Sequence, residues 1–162
     1  MDLYLMRHAD ALSLAEAKVT SDADRPLSGQ GRQFLHRILP QLKKGITSLD
    51  LCWVSPYLRA RQTAEMVLSE IPCRHPLETF DGLSPESPLK LIFEELSKRQ
   101  TSEILMLVGH EPYMGLLLGY LLSGRAGFSM PFAKAGVACV EGLFLPPQGH
   151  PPRLRWFWNP PL

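Results

Sequence analysis

Three short apolar runs set the strongest constraint on how this chain can fold. They are Leu3-Tyr4-Leu5-Met6, Leu51-Cys52-Trp53-Val54 and Ile104-Leu105-Met106-Leu107-Val108. Each is continuously apolar rather than alternating, which is the pattern of a strand buried on both faces. Each stops abruptly at polar residues: Arg7-His8, Ser55-Pro56 and Gly109-His110-Glu111-Pro112. Segments with helical spacing separate the runs. Strands alternating with helices predict an α/β fold with a mostly parallel central sheet flanked by helices. Right-handed crossovers then bring the carboxyl ends of the strands to one edge. Open α/β sheets bind their ligands at that edge.

The segments between the runs fill in the architecture. Residues 12–18 read as a helical turn or a loop. Residues 21–31 are polar and rich in turn formers, a loop lying over the opening beyond the first strand. Ser28 is the expected N-cap of a helix running to about Lys43, with Phe34, Leu35, Ile38, Leu39 and Leu42 on its apolar face. Ser55 as N-cap and Pro56 at the first helical position predict a helix over 57–70. Residues 72–77 are expected to hold a short edge strand, 81–88 a loop, and 89–99 a helix with Leu89, Ile92, Phe93 and Leu96 buried. A very apolar helix follows Pro112 to about Ser123, and 127–135 is loop. Strands over 135–145 and Arg153–Trp158, joined by the proline-rich segment 146–152, predict an antiparallel pair near the C-terminus. Trp156 and Trp158 fall on one face of it.

With 162 residues, one domain spanning 1–162 is expected. The net charge is +1, so no global field points to nucleic acid or a membrane surface. No apolar run is long enough to span a bilayer, and the first residues do not read as a secretory signal. Cys52, Cys73 and Cys139 are odd in number and widely spaced, so free thiols in the cytoplasm are expected. His36, His75 and His150 share no metal-ligand spacing and are read as exposed or structural. The expected protein is a monomer without metal or cofactor.

The strand ends collect Arg7, His8, Ser55, Arg59 and His110. Arg59 lies in the first turn after Pro56, from where it can reach back to the opening. Two arginines, two histidines and helix N-termini concentrate positive charge on a nearly neutral protein. Such a site suits a dianionic phosphoryl group, because guanidinium donors match phosphate oxygens in pairs. A neutral imidazole is also a competent nucleophile toward phosphorus. His8 sits where the strand supports it rigidly, and a backbone carbonyl accepting from one ring nitrogen would fix its tautomer. Arg7, Arg59 and His110 would then neutralise charge on the transferring group. Ser55 is read as a cap rather than a catalytic group, and Arg25 as a structural ion pair with a neighbouring aspartate.

Four segments together resemble the histidine phosphatase (phosphoglycerate mutase-like) superfamily. They are Leu5-Met6-Arg7-His8-Ala9, Arg25-Pro26-Leu27-Ser28-x-x-Gly31, the run from Ser55 to Ala64, and Val108-Gly109-His110-Glu111-Pro112. The short length and the Arg-Pro-Leu and Gly-His-Glu-Pro segments look most like the SixA-type phosphohistidine phosphatases. The resemblance implies a three-layer α/β/α sandwich, a covalent phosphate on His8, and a phosphoryl group held by Arg7, Arg59 and His110 without metal. It implies a histidine-phosphorylated protein or a small phosphate compound as substrate. A small-molecule phosphomonoesterase of the same superfamily and a non-catalytic phosphate-binding module are the alternatives. Two departures stand out. Position 9 is Ala where the superfamily usually has Gly, which could narrow the pocket. Larger members carry a carboxylic acid for the leaving group; here only Asp81, Glu86 and Glu111 are candidates, and none sits in a recognisable pattern. A phosphoramidate needs such an acid less, because its protonated imidazole leaves readily. Specificity is expected in loops 10–25, 81–88 and 124–134.

Overall fold

A computed structural model describes residues 1–145 and 151–160. The strands are β1 (Asp2–Arg7), β2 (Leu51–Val54), β3 (Glu78–Thr79), β4 (Ile104–Gly109), β5 (Val137–Glu141) and β6 (Arg153–Trp158). The helices are α1 (Leu14–Ala17), α2 (Gly29–Gly45), α3 (Leu58–Leu68), α4 (Leu89–Leu96) and α5 (Tyr113–Ser123), with 3-10 turns at Asp22–Asp24 and Asp81–Leu83. One six-stranded sheet has the order β3-β2-β4-β1-β5-β6. The first four of these strands are mutually parallel; β5 runs antiparallel to β1, and β6 antiparallel to β5. The fold is the expected mixed α/β sandwich.

The strand pleat sorts each apolar run onto two faces. Tyr4, Met6, Cys52, Val54, Met106 and Val108 join α2 and α3 in one core layer. Leu3, Leu5, Leu51, Trp53, Leu105 and Leu107 join α4 and α5 in the other. Runs covered on both faces have no polar side, which is why they read as continuous rather than alternating. Ser28 caps α2 as expected, its Oγ accepting from the Gly31 amide at 2.9 Å. All five residues assigned to the apolar face of α2 are buried. Trp156 and Trp158 both pack toward the α2 and α3 layer.

Several boundaries differ from expectation. α3 starts at Leu58 after Tyr57, with no side-chain cap. Ser55 is therefore not its N-cap, and Pro56 lies outside the helix. The hydroxyl of Ser55 is engaged elsewhere, as described below. The edge strand lies at Glu78–Thr79 rather than over 72–77. Pro72 and Pro76 lack the N–H a ladder needs, and only an isolated bridge between Leu49 and Cys73 forms there. β5 is shorter than 135–145, bounded by left-handed backbone at Ala135 (φ 59°) and Gly142 (φ 69°). α4 stops at Leu96 and α3 at Leu68. His150 and most of the 146–152 connection lie outside the described residues.

Gly31 marks the closest approach of α2 to the strand end, because a Cβ there would overlap the Asp10 carbonyl oxygen. Gly29, two residues earlier in the same turn, has open space around it. Gly31→Ala is expected to cost about 1–3 kcal/mol of folding free energy. Gly29→Ala should change it by less than about 1 kcal/mol. Urea unfolding of the two variants beside the unaltered chain measures the contrast.

Candidate active site

β1 delivers Arg7 as its last residue, and His8 follows with its backbone fixed on both sides. The His8 amide donates to the Gly109 carbonyl at 3.0 Å, and its carbonyl accepts from the Ala135 amide at 3.2 Å. The peptide group of the next residue is anchored as well. The Ala9 amide donates to Thr63 Oγ1 at 3.2 Å, and Thr63 Oγ1 donates to the Arg59 carbonyl at 2.7 Å. This chain of bonds ties the strand end to the first turn of α3. It sets the position from which Arg59 points back toward His8.

The His8 ring has a partner on each nitrogen. Nδ1 lies 2.7 Å from the Ala9 carbonyl oxygen, which can only accept. Nε2 lies 3.2 Å from Arg59 Nε, which can only donate. The ring is therefore neutral, with its proton on Nδ1 and its lone pair on Nε2. Burial pushes its pKa down to about 4; the Ala9 carbonyl opposes this, while Arg59, Arg7 and Arg25 add to it. His110 follows β4, and its ring centroid is 5.0 Å from that of His8. Burial, with His8 and Arg59 next, pushes its pKa down to about 3. Its Nε2 lies 2.7 Å from Ser55 Oγ, and Tyr57 packs edge-on against it at 4.8 Å between centroids.

Both arginines lie close enough to the imidazoles to lower their pKa values. Arg59 is 5% exposed and lies 4.9 Å over the Tyr57 ring. Its Nη1 and Nη2 donate to the Asp22 carbonyl at 2.6 Å and to Asp22 Oδ2 at 2.8 Å. Arg7 Nη1 donates to the Phe132 carbonyl at 2.7 Å. The amide of the same residue donates to Glu111 Oε2 at 3.3 Å. Arg7 Nε and His110 Nδ1 are buried without a hydrogen-bond partner among the described residues. Two unsatisfied nitrogens in one cationic site are what an anion's oxygens would satisfy.

The structure thus brings together Arg7, His8, Arg59 and His110, with Ser55 bonded to His110. Arg25 pairs with Asp22 at 2.6 Å, as its reading as a structural ion pair expects. Asp81 and Glu86 are exposed and bond to none of the site residues. Glu111 is half-buried, and burial raises its carboxyl pKa against the pull of the Phe132 amide and Arg7. The Ala9 methyl lies in the core layer with Leu27, Phe34 and Ala60. Among the described residues, no cluster of three or more His, Cys, Asp or Glu side chains could hold a metal ion. No helix among them is long and apolar enough to cross a membrane. The sequence reading did not single out Asp22, Thr63 or the Phe132 peptide. For Asp22 there was a signal: an acidic residue in a loop placed over a cationic opening.

Residues 3–84 match the histidine phosphatase superfamily (branch 1). The chain belongs to that superfamily. An uncharacterized protein of Picosynechococcus sp. PCC 7002 is 32% identical over 85% of this chain and 82% of its own length. Phosphohistidine phosphatase SixA of Escherichia coli K12 is 29% identical over 77% of this chain and 76% of its own. The solved structure of the protein histidine phosphatase SixA complexed with tungstate superposes with a TM-score of 0.83. It covers 98% of this chain and 97% of that one at 24% identity. Within the superfamily, the chain's sequence and fold are similar to those of SixA.

Its two buried imidazoles couple stability to pH. In the unfolded chain both take up protons near the ordinary value of about 6.5. In the folded site they refuse them until about 4 for His8 and about 3 for His110. The unfolded state therefore binds more protons between these values, and stability falls as pH drops below about 6.5. Above that pH the penalty is absent. The melting temperature should decline steadily from pH 6.5 to pH 4, and a His8→Gln/His110→Gln double variant should decline less steeply. Calorimetry across that window measures both slopes.

Proposed function

We propose that this phosphatase works through a covalent phosphate on His8 and acts on phosphohistidine in a protein. The observation that carries the reading is His8 itself: neutral, protonated on Nδ1, with its Nε2 lone pair facing Arg59 and its ring 5.0 Å from that of His110. In this reading the phosphoryl oxygens accept from Arg7, Arg59 and His110, the unsatisfied Arg7 Nε and His110 Nδ1 included. Arg59 moves off Nε2, and Nε2 attacks phosphorus. The bond from phosphorus to the substrate nitrogen breaks, and the leaving imidazole takes a proton from solvent. The Nδ1–H bond to the Ala9 carbonyl supports the charge the His8 ring gains on phosphorylation. Water then attacks phosphorus, the bond to Nε2 breaks, and inorganic phosphate is released with the lone pair restored.

The substrate class rests on the leaving group. An alkoxide needs a positioned acid. Asp81 and Glu86 are exposed and bond to none of the site residues, and Glu111 accepts from the Phe132 amide. An imidazole picks up its proton readily and leaves without such help. The relationship to E. coli SixA, named a phosphohistidine phosphatase, supports the same choice. So does the tungstate, a tetrahedral oxyanion, in the SixA structure.

Turnover of a histidine-phosphorylated protein should exceed that of an alkyl phosphate by more than about 100-fold in kcat/KM, the range a missing acid is worth. Comparable rates on both would favour a phosphomonoesterase. His8→Ala should abolish turnover of either, and Arg59→Ala should cost about 100-fold or more. Mass spectrometry under alkaline handling should find phosphate on His8 of the unaltered chain. Its absence with every donor would favour a phosphate-binding module.

A further inference from the structure

The guanidinium of Arg59 is engaged along both edges. Nε faces His8 Nε2, and Nη1 and Nη2 hold two oxygens of one residue, the Asp22 carbonyl at 2.6 Å and Asp22 Oδ2 at 2.8 Å. This pair of oxygens meets the planar donor fork much as phosphate oxygens would. Asp22 comes from the 3-10 turn Asp22–Asp24, whose cap, Ser21 Oγ, accepts from the Ala23 amide at 3.2 Å. Its second carboxylate oxygen accepts from Arg25 Nη1 at 2.6 Å. Arg25 in turn is held by its Nε bond to the Leu12 carbonyl at 2.6 Å. The Arg59 side chain is 7% exposed and that of Asp22 is 47% exposed.

We propose that Asp22 is a built-in competitor for the phosphoryl group, which weakens the hold of the site on free phosphate and hastens release of that product. The inference rests on the reading of Arg59 as a phosphoryl ligand. An incoming phosphoryl group and the Asp22 carboxylate cannot both take the same N–H edge, and their negative charges repel at such range. Binding therefore includes displacing Asp22. Displacement is easy for three reasons. The carboxylate is half in water, it keeps Arg25 as a partner, and it sits on a three-residue turn rather than on a long helix. The same contact works in reverse after hydrolysis. As phosphate loosens, Asp22 returns to Arg59, and Arg59 returns across His8 Nε2. A substrate with further contacts to the protein surface tolerates this competition, whereas inorganic phosphate has only the phosphoryl contacts to set against it.

The test is the dissociation constant of inorganic phosphate, read by calorimetry at pH 7.5 for the unaltered chain, Asp22→Asn, Asp22→Ala and Arg59→Ala. Asp22→Asn keeps the shape and the backbone carbonyl but removes the charge. Asp22→Ala guards against a new amide contact with Arg25. Both Asp22 variants should bind phosphate roughly 3- to 10-fold more tightly, the range of one half-exposed charge pair. Arg59→Ala should weaken it at least about 10-fold. If Arg59→Ala weakens binding but the Asp22 variants bind equally or less tightly, Asp22 merely orients Arg59, and the competitor is overturned while the phosphoryl site stands. If Arg59→Ala leaves phosphate affinity unchanged, the role of Arg59 and the competitor fall together.

Discussion

The parallel pairing of β1 on β4 is the constraint on which the site depends. Its register sets Arg7 opposite Gly109, and the ladder continues one step further, from the His8 amide to the Gly109 carbonyl. This places the two histidines that follow the strands side by side. The pairing cannot slip by one residue without turning Leu3 and Leu5 into the layer of Tyr4 and Met6. Because both layers are apolar and closely filled, such a slip would misfit two cores at once. β2 joins the same scheme through the Ser55 amide, which donates to the Val108 carbonyl at 3.0 Å. The serine hydroxyl thereby comes within reach of His110. The geometry of this site follows from strand register more than from loop conformation.

One set of cations does two jobs in this arrangement. Arg7 and Arg59 offer donors to an anion, and beside a buried imidazole they also disfavour its protonation. A histidine kept neutral needs no neighbouring base to serve as a nucleophile. The Asp22 carboxylate beside Arg59 and Glu111 near Arg7 make the burial of the two guanidiniums tolerable. The nearly neutral net charge of the whole chain hides this local concentration. Three of the four segments that carry the family resemblance lie at a strand end, with Arg7-His8, Ser55 and Gly109-His110.

Much of this was readable from the sequence, for a definite reason. A strand buried on both faces is apolar throughout, so its end is sharp, and Arg7, His8 and His110 stand out against it. The elements that blurred are those where local chemistry served a distant partner. Ser55-Pro56 carries a strong helix-start signal, yet the hydroxyl bonds a histidine 55 positions away, and the helix begins two residues later than Pro56. Asp22 looked like one more turn residue because its partner Arg59 lies 37 positions away in the chain. Glu111 follows His110 in the chain, but its partner lies 21 positions away: its oxygen accepts from the Phe132 peptide that also receives Arg7. Ala9 suggested a narrowed pocket, whereas its methyl belongs to the core layer under the site. Pairings across long sequence distance leave no periodicity to detect.

The proton on the His8 ring is placed by a main-chain oxygen, that of Ala9. Every possible side chain at position 9 comes with that same oxygen. The tautomer of the ring is thus shielded from mutation at the neighbour that supplies it, and the position can drift between glycine and alanine as far as the core layer allows. Heredity could disturb the arrangement more easily through Thr63, the one side chain that grips the adjoining amide.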